Sequence, residues 1–343
     1  MKTYQEIISY LKKKKRATHL LLGNGFSMAY DQDIFSYNAL HNFIHNIDNE
    51  LLTKLFEIVN TKDFEVVMKQ LDNFCELIDA FGSDENLRTQ VEVAIERLQK
   101  SLIEAIQEMH PSHVFEVPEE QSKKASKFLK FYLENDGMIF TTNYDLLLYW
   151  VLLRNKLNDA IDGFGRYREN PDEYVPEDEL EYSELRWGKH KEDQNIHYLH
   201  GTLPIFDNGI DIEKEEYTSE HYLLENIKSR LDRKEYPIFV TAGDGNEKLN
   251  HIYHNRYLTH CYEALTNVTG SLITFGFQFG ENDFHIIDAI NIAAKHGKKG
   301  PSKLWSIYIG VYSDSDLNYI NSIKDKFKCK VNLWDAKTAS IWE

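Results

Sequence analysis

The sequence predicts an α/β fold in which a mostly parallel sheet is covered by helices on both faces. Short apolar runs alternate with helical patterns along most of the chain, which is the order of βα units. Several of these runs end in glycine or in polar residues, and open α/β sheets bind ligands at those strand ends. We therefore expect a single α/β domain over residues 1–343, with a polar site at one edge of its sheet.

The N-terminal segment predicts a helix followed by a buried strand. Thr3 and Glu6 have the spacing of a capping box, and the basic residues 12–16 complement the C-terminus of the helix. The strand covers residues 19–22 and ends at Gly23. From about residue 40 to residue 133, apolar residues recur at helical spacing while Gly and Pro are scarce, which predicts a helical insertion subdomain.

The remaining chain predicts further strands and helices in alternation. Strands are expected over residues 138–140, 196–199, 237–240, 271–275, 304–309 and 331–334. Helices are expected over residues 146–153, 217–231, 250–265 and 286–294. Residues 158–194 are expected to form a small insertion that is rich in loops.

Composition excludes several classes of function. The net charge of −16 argues against a broad phosphate-binding surface, so direct nucleic-acid binding is not expected. Cys75, Cys261 and Cys329 stand far apart, so neither a zinc ribbon nor a disulfide framework is expected. No apolar stretch reaches the roughly 20 residues of a membrane span and no signal peptide is evident, so we expect a cytoplasmic protein.

The first polar segment is Gly23-Asn24-Gly25-Phe26-Ser27, directly after the first strand. Glycines at this place let the backbone approach a pyrophosphate, and the start of the next helix offers free N–H groups. Met28 stands where the dinucleotide fingerprint has its third glycine, so a simple tight turn explains the glycine pair about as well.

Two further segments supply catalytic candidates. Thr141-Thr142-Asn143-Tyr144-Asp145 follows the second strand, and its polar groups can bind a ribose, a carboxamide and a water together. Capping of the next helix explains one of these residues but not all of them. His200 lies at another strand end beside Gly201, where an imidazole with an ordinary pKa of about 6.5 suits a general base.

The last segment is the glycine-punctuated turn from Phe275 to Asp283. Gly276 allows close approach of an adenosine ribose or phosphate, and Asp283 either caps the next helix or contacts a ribose hydroxyl. The Gly-Asp-Gly turn at residues 243–245 is similar but less specific, and Lys248 after it is a candidate phosphate partner.

The motifs GNGFS, TTNYD, LHG and GFQFGEND, in this order, resemble the sirtuin fold. They resemble more closely the bacterial sirtuin-like proteins, several of which consume NAD in anti-phage defence and carry a large helical insertion after the first motif. The resemblance covers most of the chain from about residue 17. It implies a Rossmann-like sheet with NAD as the substrate and no metal.

The resemblance also implies roles for the matched residues. Asn143 would hold the nicotinamide ribose and a water, Asp145 the nicotinamide carboxamide, and His200 would be the catalytic histidine. Ser27 and the glycine turn would line the pyrophosphate, and the last segment would lie near the adenosine half. The implied NAD-binding residues are Gly23, Asn24, Gly25, Ser27, Thr141, Thr142, Gly276, Phe277 and Asp283.

The sequence departs from the sirtuin pattern at several places. Sirtuins usually have Gln where Thr142 stands, and the group often has Ser where Gln278 stands. The Gly-Ile-Pro-x-Phe-Arg stretch is absent, and Asp31, Asp33 and Phe35 occupy roughly that region. The four zinc cysteines that shape the acyl-lysine channel of a protein deacylase are also missing.

These departures favour hydrolysis of NAD to nicotinamide and ADP-ribose over deacylation of proteins. A sensor that binds NAD or ADP-ribose without turnover is the main alternative, followed by a deacylase and by a structural core with a vestigial site. Because a defence NADase must stay silent until triggered, the resemblance further implies a homo-oligomer or a partner protein such as an ATPase.

Overall fold

The computed structural model describes residues 1–32, 54–55, 57–58, 64–82, 85–108, 110–169, 176–240, 245–295 and 303–343. Its helices are α1 (Tyr4–Lys14), α2 (Gly25–Met28), α3 (Phe64–Phe81), α4 (Glu85–Glu108), α5 (Glu119–Leu133), α6 (Leu147–Arg154), α7 (Leu223–Asp232), α8 (Gly245–His254), α9 (Arg256–Thr266), α10 (Phe284–Lys295) and α11 (Asp314–Ile323). Its strands are β1 (Thr18–Leu22), β2 (Ile139–Thr141), β3 (Phe164–Gly165), β4 (Leu185–Trp187), β5 (Ile196–Tyr198), β6 (Gly201–Asp207), β7 (Ile212–Lys214), β8 (Pro237–Phe239), β9 (Gly270–Phe275), β10 (Leu304–Val311) and β11 (Lys330–Asp335).

The larger sheet contains six strands in the order β11-β10-β9-β1-β2-β5, and every neighbouring pair is parallel. This confirms the predicted α/β class. In chain order the strand sequence reads 3-2-1-4-5-6 from the β5 edge, which is the order of a Rossmann-like sheet. The order reverses between β1 and β9, so the crevice of the fold lies at the carboxyl ends of these two strands.

The central strand and the first helix form as the sequence predicts. All five residues of β1 are buried, because helices cover both faces of a parallel sheet. Thr3 and Glu6 form the capping box of α1, and Lys12 to Lys14 lie in its last turn. None of the helices in the described ranges is both long and apolar enough to cross a membrane.

Three long helices fall within the predicted insertion over residues 40–133, part of which lies outside the described residues. α3 and α4 pack against each other, whereas α5 packs against β1 and β2 as the crossover between them. The helical character of this region is therefore confirmed for α3, α4 and α5, and its division into a subdomain stays a prediction.

A second, antiparallel sheet has the order β3-β4-β7-β6-β8 and was not expected. Residues 237–239 of the predicted strand over 237–240 do form β8, but β8 pairs with β6 and does not join the parallel sheet. β3 and β4 lie within the predicted loop-rich insertion at residues 158–194. An apolar run predicts a strand without telling which sheet it joins, and that explains the error.

Two predicted helices have different bounds in the structure. The helix expected from residue 217 begins at Leu223, where the side chain of Glu225 accepts from the amide of Tyr222 at 2.8 Å. The helix expected over residues 250–265 is divided into α8 and α9, because the side chain of Asn255 caps α9 by accepting from the amides of Tyr257 and Leu258. The structure also adds α11, which the sequence analysis did not predict.

Candidate functional site

The four predicted segments all lie at the carboxyl edge of the parallel sheet. They follow β1, β2, β5 and β9, which are neighbours or near neighbours in the sheet. Register pairs Leu22 at the end of β1 with Thr141 on one side and Phe275 on the other. The segments therefore meet at the point where the strand order reverses, as the sequence predicts.

The turns after β1 and β9 pack directly on each other. The amide of Gly25 donates to the carbonyl of Gly276 at 3.0 Å. A Cβ on Gly23 would lie 2.5 Å from the carbonyl oxygen of Gly276, and a Cβ on Gly276 would overlap the Cα of Gly25. Gly276 also has a φ of +66°, which favours glycine. The glycines are thus required by the contact between the two turns.

The amides of the first turn are already used within the protein. Gly23 donates to Phe275, Phe26 donates to the carbonyl of Gly23, and Ser27 donates to that of Asn24. The expectation of free N–H groups at the start of α2 is therefore wrong for residues 25–27, because short-range and cross-turn hydrogen bonds occupy them. Trp342 holds α2 from the other side, since its indole donates to the carbonyl of Phe26 at 2.9 Å.

Ser27, Asn143 and Asp145 form a buried hydrogen-bonded group that we call the amide–carboxylate cluster. The side-chain amide of Asn143 donates to the hydroxyl of Ser27 at 3.0 Å, and that hydroxyl donates to Oδ2 of Asp145. Oδ1 of Asp145 accepts from the amide of Leu147 at 2.9 Å, which fixes the carboxylate at the start of α6. The residues expected to bind nicotinamide and its ribose are therefore brought together.

One atom of this cluster has no partner. Among the described residues, Oδ1 of Asn143 has no hydrogen-bond partner, and Asn143 is only 8% exposed. A buried carbonyl oxygen without a donor costs about 1–3 kcal/mol, so this oxygen is open to a donor from water or from a ligand. The backbone of Asn143 is held by its own amide, which donates to the hydroxyl of Thr141 at 3.1 Å.

Burial changes the acidity of the cluster. Desolvation raises the pKa of Asp145 to about 6, although hydrogen bonds from Ser27 and from the amide of Leu147 act in the opposite direction.

Thr142 contributes to the frame of the site, because its amide donates to the carbonyl of Leu22 at 3.1 Å.

His200 lies directly after β5 and pairs with a histidine that the sequence analysis did not single out. Its Nε2 is 2.9 Å from Nε2 of His285, which lies on α10. Burial holds the pKa of His200 well below its usual range, and His285 and Lys248 lower it further. Burial also lowers the pKa of His285 to about 4, so both imidazoles are neutral at neutral pH.

Lys248 and Asp283 lie beside this pair as a partly buried ion pair. Nζ of Lys248 donates to Oδ1 of Asp283 at 2.8 Å, and the lysine is 3% exposed. Asp283 ends a single 3-10 turn over Glu281–Asp283, immediately before α10. Asp283, the candidate helix cap or ribose ligand, is therefore paired with Lys248, the candidate phosphate partner. We call His200, His285, Asp283 and Lys248 the histidine cluster.

The two clusters occupy adjacent strand ends without a hydrogen bond between them in the described part of the chain. The hydroxyl of Thr202, two residues after His200, donates to the carbonyl of Tyr144 at 2.8 Å and ties the two loops together. Phe277 is buried and packs its ring edge-to-face on Phe279. Asp33, Phe35, Gly243 and Asp244 lie outside the described residues.

His285 is the functional candidate that the sequence analysis missed. It stands two residues beyond the motif that ends at Asp283, and 85 residues separate it from His200. Its only sequence signal is its place in the first turn of the helix that follows a glycine-rich strand end.

A family model described as a domain of unknown function (DUF4917) matches residues 20–342. The match contains every segment of the site. No curated protein matches the chain.

The contact between the turns predicts a selective effect of glycine substitution. Gly276→Ala should lower the free energy of unfolding by about 2–4 kcal/mol, because the new Cβ overlaps Gly25 and the left-handed backbone disfavours alanine. Gly280→Ala is the matched control, since nothing lies within 4 Å of a Cβ at that position. Urea denaturation measures both values, and equal effects of the two substitutions would refute the contact.

The burial of Asp145 predicts a pH-dependent stability difference. Its folded-state pKa of about 6 exceeds the unfolded value of about 3.9, so its contribution to stability is largest in acid and is lost as the pH rises through 6. Relative to Asp145→Asn, the wild type should lose about 1–2 kcal/mol between pH 5 and pH 8. Urea denaturation at both pH values tests this, and a constant difference between the two proteins would contradict it.

Proposed function

The chain belongs to the DUF4917 family, and from that premise we propose that it is an NAD glycohydrolase, which cleaves NAD to nicotinamide and ADP-ribose. The observation that carries the proposal is the buried Oδ1 of Asn143, which has no partner among the described residues and lies beside Asp145. The two residues lie near the switch point of a Rossmann-like sheet, where the strand order reverses between β1 and β9. Similarity of the four motifs to bacterial sirtuin-like defence proteins supports NAD as the substrate, and NAD depletion in anti-phage defence as the role.

Asn143 is proposed to bind the nicotinamide ribose and the attacking water. Its Nδ2 is committed to Ser27, so its orientation is fixed and Oδ1 is left to accept from a ribose hydroxyl or from water. Cleavage of the glycosidic bond passes through an oxocarbenium-like centre, and a water held on its open face captures it. Placement by a rigid, buried amide lowers the barrier by fixing the reacting groups in advance.

Asp145 is proposed to hold the nicotinamide carboxamide. Its carboxylate accepts hydrogen bonds, as the NH2 of a carboxamide requires. Burial raises the pKa of Asp145 to about 6, which still leaves the carboxylate mostly ionised at neutral pH. Because the buried carboxylate is poorly solvated, an additional hydrogen-bond donor stabilises it.

His200 is proposed to be the general base, in the neutral form that its lowered pKa maintains, with His285 as its positioning partner. The two Nε2 atoms are 2.9 Å apart, and in the proposed tautomers one of them carries the proton of this hydrogen bond. When that proton resides on His200, Nδ1 of His200 is basic and accepts a proton from a ribose hydroxyl or from water. The Nε2 proton then passes to His285, so the charge is spread over two imidazoles.

The ADP-ribose half is proposed to lie along the two packed turns, near Asn24, Ser27 and Asp283. Assembly with a second copy or with a partner ATPase remains part of the proposal, as does a cytoplasmic location. α3 offers one surface for such assembly, because Phe74, Leu77 and Phe81 are exposed and share one face of the helix.

A sensor of NAD or ADP-ribose is the second candidate function. The contact of His200 with His285 favours a sensor, because it engages the side chain that would otherwise act as the base. The amides of residues 25–27 are also hydrogen-bonded within the protein, so they are not free to bind the pyrophosphate of a substrate. Protein deacylation receives less support, because the sequence has only three cysteines, Cys75, Cys261 and Cys329, and they are dispersed along the chain.

The test is incubation of purified protein with NAD while nicotinamide release is followed. Wild type should release nicotinamide, and Asn143→Ala and His200→Ala should each reduce the rate about a hundredfold to ten-thousandfold. His221→Ala is the control, because this histidine is exposed and bonded locally to Glu225.

The outcomes separate the candidates. Equal rates for wild type and His200→Ala would remove His200 from the reaction. Saturable NAD binding without nicotinamide release, with or without added partner, would overturn hydrolysis in favour of the sensor. Release that requires an acylated lysine peptide would indicate deacylation.

A further inference from the structure

We propose that His200, His285 and Asp283 form a binding site for a divalent transition metal ion of the zinc class. Each of the three residues offers one ligand atom, and these atoms all lie within 4.8 Å of one another. The set offers two imidazole nitrogens and one carboxylate oxygen, which is a common ligand set for catalytic zinc. The resemblance to sirtuin-like proteins implies no metal, so this site goes beyond the proposed function.

Two segments hold the ligands in place: the turn before β6 carries His200, and the 3-10 turn that runs into α10 carries Asp283 and His285. His200 is fixed by its carbonyl, which accepts from the amide of Val240 at 2.9 Å. His285 begins α10, and its carbonyl accepts from the hydroxyl of Tyr262 at 2.9 Å. Both imidazoles are buried, so little side-chain entropy remains to be lost when a metal binds.

The two imidazoles require only a small adjustment, whereas the carboxylate oxygen, which lies within 4.8 Å of them, must approach by up to about 1.5 Å. Zinc–nitrogen bonds of 2.0–2.1 Å in a tetrahedron place two ligand atoms roughly 3.3 Å apart. The two Nε2 atoms are 2.9 Å apart, so they must separate by about 0.4 Å. Three protein ligands leave a fourth position for water or substrate.

The ligand chemistry selects among metals. Imidazole nitrogen suits zinc, copper, nickel and iron, whereas magnesium and calcium prefer sites made of oxygen alone. Zn²⁺ is therefore the appropriate probe, and Mg²⁺ is its matched negative control.

Lys248 sets the affinity of the site. Its ammonium lies 2.8 Å from Oδ1 of Asp283, so it neutralises the carboxylate without metal and repels an incoming cation. Replacement by methionine removes the competing charge and keeps the apolar stem. Lys248→Met should therefore tighten Zn²⁺ binding by about tenfold or more. If the site instead bound an anion, loss of this positive charge would weaken binding.

Metal binding has a consequence for activity that rests on the proposed function. A neutral imidazole that ligates through Nε2 carries its proton on Nδ1 and cannot accept another. Zn²⁺ at this site would therefore remove His200 as a base and block proton transfer to His285. Occupation by metal and cleavage of NAD are mutually exclusive states of one site.

The experiment titrates metal-free full-length protein with Zn²⁺ in competition with a chromogenic chelator. Wild type should bind one ion per chain in a high-affinity step, and Mg²⁺ should not displace it. His285→Gln and Asp283→Asn should weaken binding by at least about tenfold to a hundredfold, whereas His221→Ala should leave it unchanged. Circular dichroism and thermal denaturation confirm that each variant is folded.

The result that overturns the site is clear. Unchanged Zn²⁺ affinity in both His285→Gln and Asp283→Asn, or weaker binding by Lys248→Met, excludes these ligands. Nicotinamide release measured with and without Zn²⁺ separates the two proposals. Zn²⁺ binding that is weakened by His285→Gln and Asp283→Asn, in a protein that does not cleave NAD, supports the metal site and refutes the glycohydrolase. A rate of nicotinamide release that rises with Zn²⁺ contradicts mutual exclusion.

Discussion

The packing of two glycine turns at the switch point is the constraint on which the rest of the site depends. Gly25 donates to Gly276, and neither glycine leaves room for a Cβ between the turns. This contact fixes α2 and therefore Ser27, whose hydroxyl joins Asn143 to Asp145. A backbone contact between β1 and β9 thus determines where a side-chain amide from the loop after β2 can point.

The site combines two buried polar clusters with different unmet needs. The amide–carboxylate cluster has an oxygen without a donor and a carboxylate that burial leaves poorly solvated, so it favours a ligand that donates hydrogen bonds. The histidine cluster contains the His200–His285 contact and the Lys248–Asp283 pair, whereas Nδ1 of His285 is buried without a hydrogen-bond partner among the described residues. These differences underlie the two proposals, that the first cluster binds a ribose or carboxamide and that the second binds a metal ion in place of its Nε2–Nε2 hydrogen bond.

Local patterns predict the parallel sheet and the segments of the site, because each strand and the polar residues after it are contiguous in the sequence. The runs before Gly23, Asn143 and His200 are strands, and parallel strands bring their carboxyl ends together without further information. Partnerships between distant residues have no such signal. The antiparallel sheet, the His200–His285 contact and the occupied amides of residues 25–27 depend on tertiary packing, so they could not be read from spacing.

The most direct test of a nucleotide site at the switch point is a crystal structure of the protein with ADP-ribose. The account predicts ADP-ribose in the crevice between β1 and β9, with its terminal ribose hydroxyl donating to Oδ1 of Asn143. His200 should lie within hydrogen-bonding distance of the same ribose. An empty crevice at saturating ADP-ribose, or ligand bound elsewhere with Oδ1 of Asn143 still unpartnered, would contradict it.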